Sequence, residues 1–426
     1  MLTARCSLSL KRPEILAPAG DFTCLQAAID AGADAVYFGL GTFNMRARSG
    51  VNFKLEDLPE IQRRCGDRVK RYLALNAIMF EGEMEEVEKT IVAAKPYVDA
   101  FIVSDWGVIS LCKKHNAVFH VSTQMSTSNS AAVAFLASQG AERVVLAREC
   151  TLAEVKKIIS TLQLKLKTPT EVECFVHGAQ CVAESGRCFM SHDVFGKSAC
   201  RGECNQPCRR QFLVKAVDFY ANENGQPVHD AKAEFLVEPH TVLSAKDLCS
   251  LGFVDKLMDA GIASFKIEGR ARNANYVKTT VVCYRRAVDA VMDGTYTPEL
   301  VAELTEKVKT VFHREFADGL YFGRPGVSQF ADSEDSMATE VKRHVGIVMD
   351  YYLKAGIAQV KVQDHPIALG DRLQIHGPTT GVVEIEKVES LRRDDEVLSV
   401  AEKGNWVTLY APRCRVGDKV FYMERR

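Results

Sequence analysis

The chain has 426 residues, 47% of them hydrophobic and 26% charged, which is ample apolar mass for a large core and excludes a disordered, collagenous or coiled-coil chain. With 54 Lys+Arg against 55 Asp+Glu there is no overall basic field, so a nucleic-acid partner has to be met by a local patch. Met1 to Lys11 holds no apolar run of signal-peptide length, and no stretch approaches the roughly 18 apolar residues of a membrane span. The expectation is a cytoplasmic protein with no membrane partner, in which several of the 14 cysteines bind something rather than form a secreted disulfide scaffold.

From Glu14 to about Asp293 short β-rich runs alternate with helical spacing, the pattern of βα units. The runs are Glu14 to Ala17, Ala35 to Leu40, Tyr72 to Ile78, Ala100 to Ser104, Ala117 to Ser122, Arg143 to Ala147, Val172 to Val176 and Ser264 to Ile267. Eight such runs predict an α/β fold, a TIM-like (β/α)8 barrel with function in the loops after the strands; an open doubly wound sheet has the same periodicity. The interval from 177 to 262 is out of register and reads as a cysteine-rich insertion, with Asn222 to Lys232 a polar hairpin or loop. Helices are expected up to Asp293 and from Pro298 to Phe312. From Val341 the pattern changes to short alternating runs broken by turns, a small C-terminal all-β barrel. The expected domains are residues 1–335 and 336–426, separated by the polar stretch Ala331 to Ser336.

Several familiar signatures fail. Gly196-Lys197-Ser198 lacks the first glycine of a P-loop, Asn44 stands where a dinucleotide fingerprint needs its third glycine, and neither HExxH nor GxSxG occurs. The cysteines are different: Cys181-x6-Cys188-x11-Cys200-x3-Cys204-x3-Cys208 puts five thiols within 28 positions of a glycine-dotted segment. Thiolates are soft ligands for zinc or iron-sulfur, and the wide first interval departs from short zinc knuckles and leans toward iron-sulfur. Buried inert cysteines are the bland alternative.

The run Glu173 to Ser191, ECFVHGAQCVAESGRCFMS, resembles the signature of peptidase family U32, the collagenase-like proteases. Leu16-Ala17-Pro18-Ala19-Gly20, Arg201-Gly202-Glu203-Cys204, Gln206-Pro207-Cys208-Arg209, Ser244 to Leu248 and Lys266 to Arg270 extend the resemblance over nearly the whole chain. Gln180, where the family usually has an aliphatic residue, and Cys200, where many members have Asn, depart from it. The resemblance implies two activities. One is proteolysis; the other is oxygen-independent hydroxylation with an iron-sulfur cluster, 4Fe-4S rather than 2Fe-2S, and prephenate or a related metabolite as hydroxyl donor. The single-chain architecture is most similar to the branch that forms 5-hydroxyuridine in tRNA. It implies Cys181, Cys188, Cys204 and Cys208 as cluster ligands, with Cys249 or Cys200 as substitutes for one of them.

At the strand ends the candidates are Gln124 and Asn129 after the fifth run, Arg148 and Glu149 after the sixth, His177 after the seventh, and Lys266, Glu268 and Arg270 at the eighth. His177, Glu268 and Lys266 are the catalytic expectation; Arg46, Gln124, Asn129, Arg148 and Arg270 are the substrate-binding one. Arg148 and Arg270 could hold the carboxylates of prephenate, or pair with Glu268 to close the barrel top; His177 could be a hydrogen-bonded core residue. For tRNA, Arg201, Arg209, Arg210 and Lys215 give a basic edge, and Arg46 and Arg48 with Phe43 and Phe53 a basic-aromatic stretch. Lys342, Lys354 and Lys361 read equally well as solvated surface. Two other classes remain: a collagenase-like peptidase, and a non-catalytic RNA-binding module with structural zinc.

Overall fold

The computed structural model describes residues 11–47, 52–166, 170–184, 187–210, 212, 214–221, 227–235, 243–323, 329–331, 333 and 335–426. Arg48, Ser185, Gly186, Asn222 to Gln226, Asp332, Glu334 and the side chain of Lys215 lie outside the described set.

Seven strands come first: β1 (Glu14–Pro18), β2 (Ala35–Phe38), β3 (Lys70–Leu75), β4 (Ala100–Val103), β5 (Phe119–Val121), β6 (Arg143–Val145) and β7 (Glu171–Gly178). The insertion contributes a hairpin, β8 (Val214–Ala221) with β9 (Pro227–Phe235), and then β10 (Asp247–Cys249), before β11 (Ser264–Ile267). β1 to β7 pair in parallel in chain order, and β11 pairs in parallel with both β7 and β1. The result is a closed eight-stranded barrel rather than an open sheet.

Period-two alternation explains the closure. Leu16, Ala35, Tyr37, Tyr72, Ala100 and Ile102 face one another in the lumen, while their neighbours Ile15, Ala17, Val36, Phe38 and Leu73 pack under the helices. Those helices are α1 (Phe22–Asp30), α2 (Leu58–Cys65), α3 (Met84–Ala94), α4 (Trp106–Lys114), α5 (Ser130–Ser138), α6 (Leu152–Lys165), α7 (Met190–Phe195) in the insertion, α8 (Val254–Asp259), α9 (Ala274–Asp293) and α10 (Pro298–Lys309). Starts follow capping chemistry: Asp21 accepts from Cys24 N, and Thr151 with Glu154 forms a reciprocal box.

The lumen is not wholly apolar. Arg143 bridges Glu14 (2.5 Å), Glu171 (2.7 Å) and Glu173 (3.2 Å), and Lys266 Nζ donates to Glu173 at 2.7 Å. Burial alone would raise the Glu173 carboxyl; Lys266 and Arg143 outweigh it and hold it below its ordinary value.

β7 is longer than its partners, and its overhang recruits the insertion. Cys249 of β10 pairs antiparallel with His177, Leu248 with Gly178, and β12 (Phe316–Ala317) then adds in parallel to β10. The end of the insertion is thereby clamped to the barrel rim.

The C-terminal unit comprises β13 (Glu340–Tyr352), β14 (Ile357–Val362), β15 (Ile367–Ala368), β16 (Leu373–Gly377), β17 (Gly381–Ile385), β18 (Leu391–Arg393), β19 (Glu396–Leu398), β20 (Val400–Ala401), β21 (Trp406–Tyr410) and β22 (Lys419–Arg425). Eight of these form one antiparallel sheet curled round a single apolar core, with β15 and β20 as a separate ladder. The unit leans on α1 and α9: Lys278 pairs with Glu384 at 3.1 Å, and Gln374 donates to Asn275 at 3.1 Å. Among the described residues no helix is long and apolar enough to cross a membrane.

Candidate active site at the barrel mouth

A cavity opens at the C-terminal ends of the barrel strands. Ala74, Ile102 and Phe175 supply apolar wall, and Tyr37 and Lys266 line it from β2 and β11. Arg46, Gln124, Arg148, Glu268 and Arg270 reach it from the loops, and Cys181, Cys204 and Cys208 reach it from the insertion. Residues scattered from position 37 to 270 therefore share one space because each follows, or sits on, a barrel strand.

Glu268 is the electrostatic centre. Arg46 Nη2 lies 3.0 Å from its Oε1, and Arg148 Nη2 lies 3.9 Å from its Oε2. Burial would raise this carboxyl, but Arg46, Arg148 and Arg270 outweigh that and keep it below its ordinary value. It is a charge partner first, a poor proton donor at neutral pH. Its backbone is set by Gly178, whose φ of +102° is costly for other residues and whose added Cβ would stand 2.6 Å from Glu268 O.

The arginines differ in what they have left to give. Arg148 lies 3.8 Å over the Phe175 ring and donates to Ala179 O at 2.6 Å. Arg270 is 5% exposed and donates through Nη2 to Asn44 Oδ1 at 2.9 Å; its Nη1 has no hydrogen-bond partner. Burial pulls the Arg270 guanidinium down to about 10. Asn44, fully buried, also accepts from Arg46 N at 2.9 Å and donates to Thr42 O at 3.0 Å, so one amide holds the Arg270 guanidinium and the Arg46 backbone. The loop after the second run hid this role: Asn44 was legible only as a glycine missing from another motif.

The cysteine segment closes over this loop. Gly202, at φ +81°, packs against the backbone of Asn44 and Ala47, where a Cβ would stand 2.8 Å from Ala47 N. Burial, and then the neighbouring thiols Cys181, Cys204 and Cys188, push the Cys208 thiol up against the opposing pull of Arg209. The other three expected ligand thiols are thus within electrostatic reach of Cys208. Cys181, Cys188, Cys204 and Cys208 are free thiols, and the Cys200 thiol is raised by burial and Cys188 against Arg187. Among the described residues no three His, Cys, Asp or Glu side chains already stand at ion-binding separation. The donor set is nevertheless all sulfur and partly exposed, and three of its four thiols line one cavity, which fits a thiophilic metal or cluster. Cys249 is elsewhere: buried, 4.0 Å from Tyr284 Oη, its thiol pushed up to about 11 by burial.

Three expected site residues do not line the cavity. Asn129 caps α5, accepting from Ala132 N at 2.9 Å. His177 is 1% exposed among Tyr276, Tyr284 and Phe316, and burial, then His313, hold its imidazole near 3 and therefore neutral. Cys188 is likewise absent from the lining. The expected basic stretches also need correction. Phe43 and Phe53 are core residues, 8% and 3% exposed, and Phe53 packs edge-on against Phe22 and Phe38, so neither is open to a base. Arg209, 7% exposed, is spent on Ser244 Oγ (3.0 Å), Ala245 O and Gln180 O, because a buried guanidinium must find acceptors within the protein.

Comparison with known proteins places this geometry. A family model described as peptidase family U32 matches residues 20–330. The chain is 38% identical over 421 residues to a protein of Porphyromonas gingivalis named collagenase, covering 97% of this chain and 98% of that relative. It is 31% identical over 377 residues to tRNA hydroxylation protein P1 of Bacillus subtilis, covering 86% and 84%. It is 32% identical over 382 residues to the 23S rRNA 5-hydroxycytidine C2501 synthase of Escherichia coli, covering 87% of this chain and 53% of that one. The relatives' names divide between proteolysis and RNA hydroxylation, and both are enzymatic. On the extent of these matches, the chain belongs to peptidase family U32.

Proposed function

We propose that this protein hydroxylates a pyrimidine of RNA without dioxygen, with a tRNA uridine as substrate and the product 5-hydroxyuridine. In this reading Cys181, Cys188, Cys204 and Cys208 hold an iron-sulfur cluster, and a prephenate-type hydroxyl donor occupies the barrel mouth. The carrying observation is that Cys181, Cys204 and Cys208 line the same cavity as Arg46, Arg148, Arg270 and Glu268. Soft donors for a redox centre and a cationic set suited to an anionic metabolite share one space. The relatives named for tRNA and rRNA hydroxylation support the choice of substrate.

The net reaction is balanced between two carbons: the donor C–OH becomes C–H, reduced by two electrons, while the base C–H becomes C–OH, oxidised by two. A bound cluster would supply one-electron transfer. The chain's own residues do the rest. Arg270 and Arg148 bind and orient the carboxylates of the donor, Glu268 keeps the arginines splayed and charge-balanced, and Phe175 with Ile102 packs the donor's apolar body.

Anaerobic purification followed by iron and sulfide analysis tests the first half, and mass spectrometry of tRNA nucleosides from a strain lacking the gene tests the second. The expected result is cluster-loaded protein and loss of 5-hydroxyuridine derivatives, restored by wild type and not by Cys204→Ser. Fully active metal-free protein, or unchanged nucleosides, would overturn the reading.

Peptidase activity is the second reading, favoured by the relative named collagenase. A peptidase nucleophile needs a base in reach, and His177 is buried, neutral and outside the cavity. Gelatin cleavage abolished by a single point mutation and indifferent to iron loss would establish it.

A further inference from the structure

The segment that carries the thiols also carries aromatic side chains that no core claims. Phe189, next to Cys188, is 77% exposed, and Phe80, after β3, is 58% exposed. The two loops are stitched together beside the mouth. Ile78 N donates to Cys200 O at 3.3 Å, and Arg201 donates to Ile78 O while pairing with Glu83 at 2.8 Å. Ser191, two residues after Phe189, accepts from Asn205 N at 3.1 Å, which ties the Phe189 stretch to the segment that holds Arg201.

These aromatics alternate with cations. Arg201 Cζ stands 4.5 Å over the Phe80 ring, Arg210 Cζ stands 4.8 Å over the Phe195 ring, and His192 meets Phe189 edge-on at 6.4 Å. Glu83 already neutralises Arg201, so its contribution is a flat stacking face more than a net charge. Exposed rings interleaved with guanidinium planes are the recognition surface of unpaired bases, whose π-faces stack on both. A paired duplex keeps its bases stacked inside and presents phosphates instead.

We infer that this collar, Phe80, Phe189 and Phe195 with Arg201 and Arg210, is where a single-stranded RNA loop docks by base stacking, delivering one base toward the cavity. The inference rests on the hydroxylase reading and adds to it the surface that holds the substrate.

The test is fluorescence anisotropy on the full chain, with a labelled tRNA anticodon stem-loop and, separately, a blunt duplex of its stem. Phe189→Ala and Phe80→Ala are each expected to weaken stem-loop binding roughly tenfold, in line with the loss of one base-aromatic stack. Phe189→Tyr is expected to retain affinity, and Leu164→Ala, at the opposite end of α6 and 89% exposed, to change nothing. Duplex affinity should not move with either Phe→Ala change. Unaltered stem-loop affinity in both Phe→Ala variants, or an equal loss for loop and duplex, would overturn the docking surface. If those variants also restore 5-hydroxyuridine in the deleted strain, the surface fails while the hydroxylase reading stands. If wild-type protein ignores the stem-loop and instead binds gelatin through Phe189, both fall.

Discussion

Arg46 Nη2 donates to Glu268 Oε1 at 3.0 Å, joining the loop after the second barrel strand to the end of the eighth. That single ion pair crosses the seam where the barrel begins and ends, and it sits at the rim of the cavity that the thiols share. Burial makes it consequential: the Glu268 side chain is 15% exposed, so removing one partner strands the other.

Glu268→Gln should therefore lower stability by about 3 kcal/mol at neutral pH, read by urea unfolding. The carboxyl is held below its unfolded value, so its contribution is complete above about pH 4.3 and lost as pH falls through the folded value. A variant within a few tenths of a kcal/mol of wild type at pH 7 would mean that the pair is solvent-screened.

Acid should weaken the fold well before the carboxylates titrate. Burial holds His120 and His177 near 3, so the unfolded chain takes up their protons first, from about pH 6.5 downward. Each then costs about 1.4 kcal/mol per pH unit between those limits. Both ring nitrogens of His120 lack partners and its ring packs edge-on to Tyr72, so His120→Phe should flatten the pH dependence with little effect at pH 7. An unchanged slope between about pH 6 and about pH 5 would contradict the assignment.

Iron content should separate the thiols. Ser at Cys181, Cys188, Cys204 or Cys208 is expected to cut iron per chain by about half or more, since the proposed four-thiolate site would lose a ligand. Cys249→Ser should leave it unchanged, because Cys249 is buried against Tyr284 and is not among the thiols that Cys208 senses. Iron loss in Cys249→Ser with retention in Cys204→Ser would reverse the ligand set.

Gly202→Ala tests the contact between the cysteine segment and the Asn44 loop. The new Cβ would meet backbone rather than a yielding side chain, at a positive φ as well, for a local cost of about 1–3 kcal/mol. The expected sign is faster reaction of Cys204 and Cys208 with a thiol reagent, with the helical signal unchanged. Protection equal to wild type would show that the segment is held by other contacts.

The eight barrel strands were legible because each is a short apolar run with turn residues on either side, and all eight appear within a few residues of their expected places. The β10 strand was not. Asp247–Cys249 is three residues long, and its pairing is set by the overhang of β7, which no local pattern announces. The charged lumen was equally hidden, although Glu14, Arg143, Glu173 and Lys266 each interrupt an otherwise apolar run and could have signalled an inward-facing polar layer.

The amino-acid order by itself determined the repeating βα plan, the clustering of thiols in one insertion, and the placement of Arg148, Lys266, Glu268 and Arg270 at strand ends, because these are properties of local spacing and period. Only the folded chain decided which of them meet. Whether an arginine faces a ligand, a carboxylate or a row of carbonyls depends on neighbours far outside its own local stretch, from 29 positions away for Arg209 to 226 for Arg270. That is why Arg209 became a staple, Phe53 a core residue and Arg270 the guanidinium left with an unpartnered nitrogen.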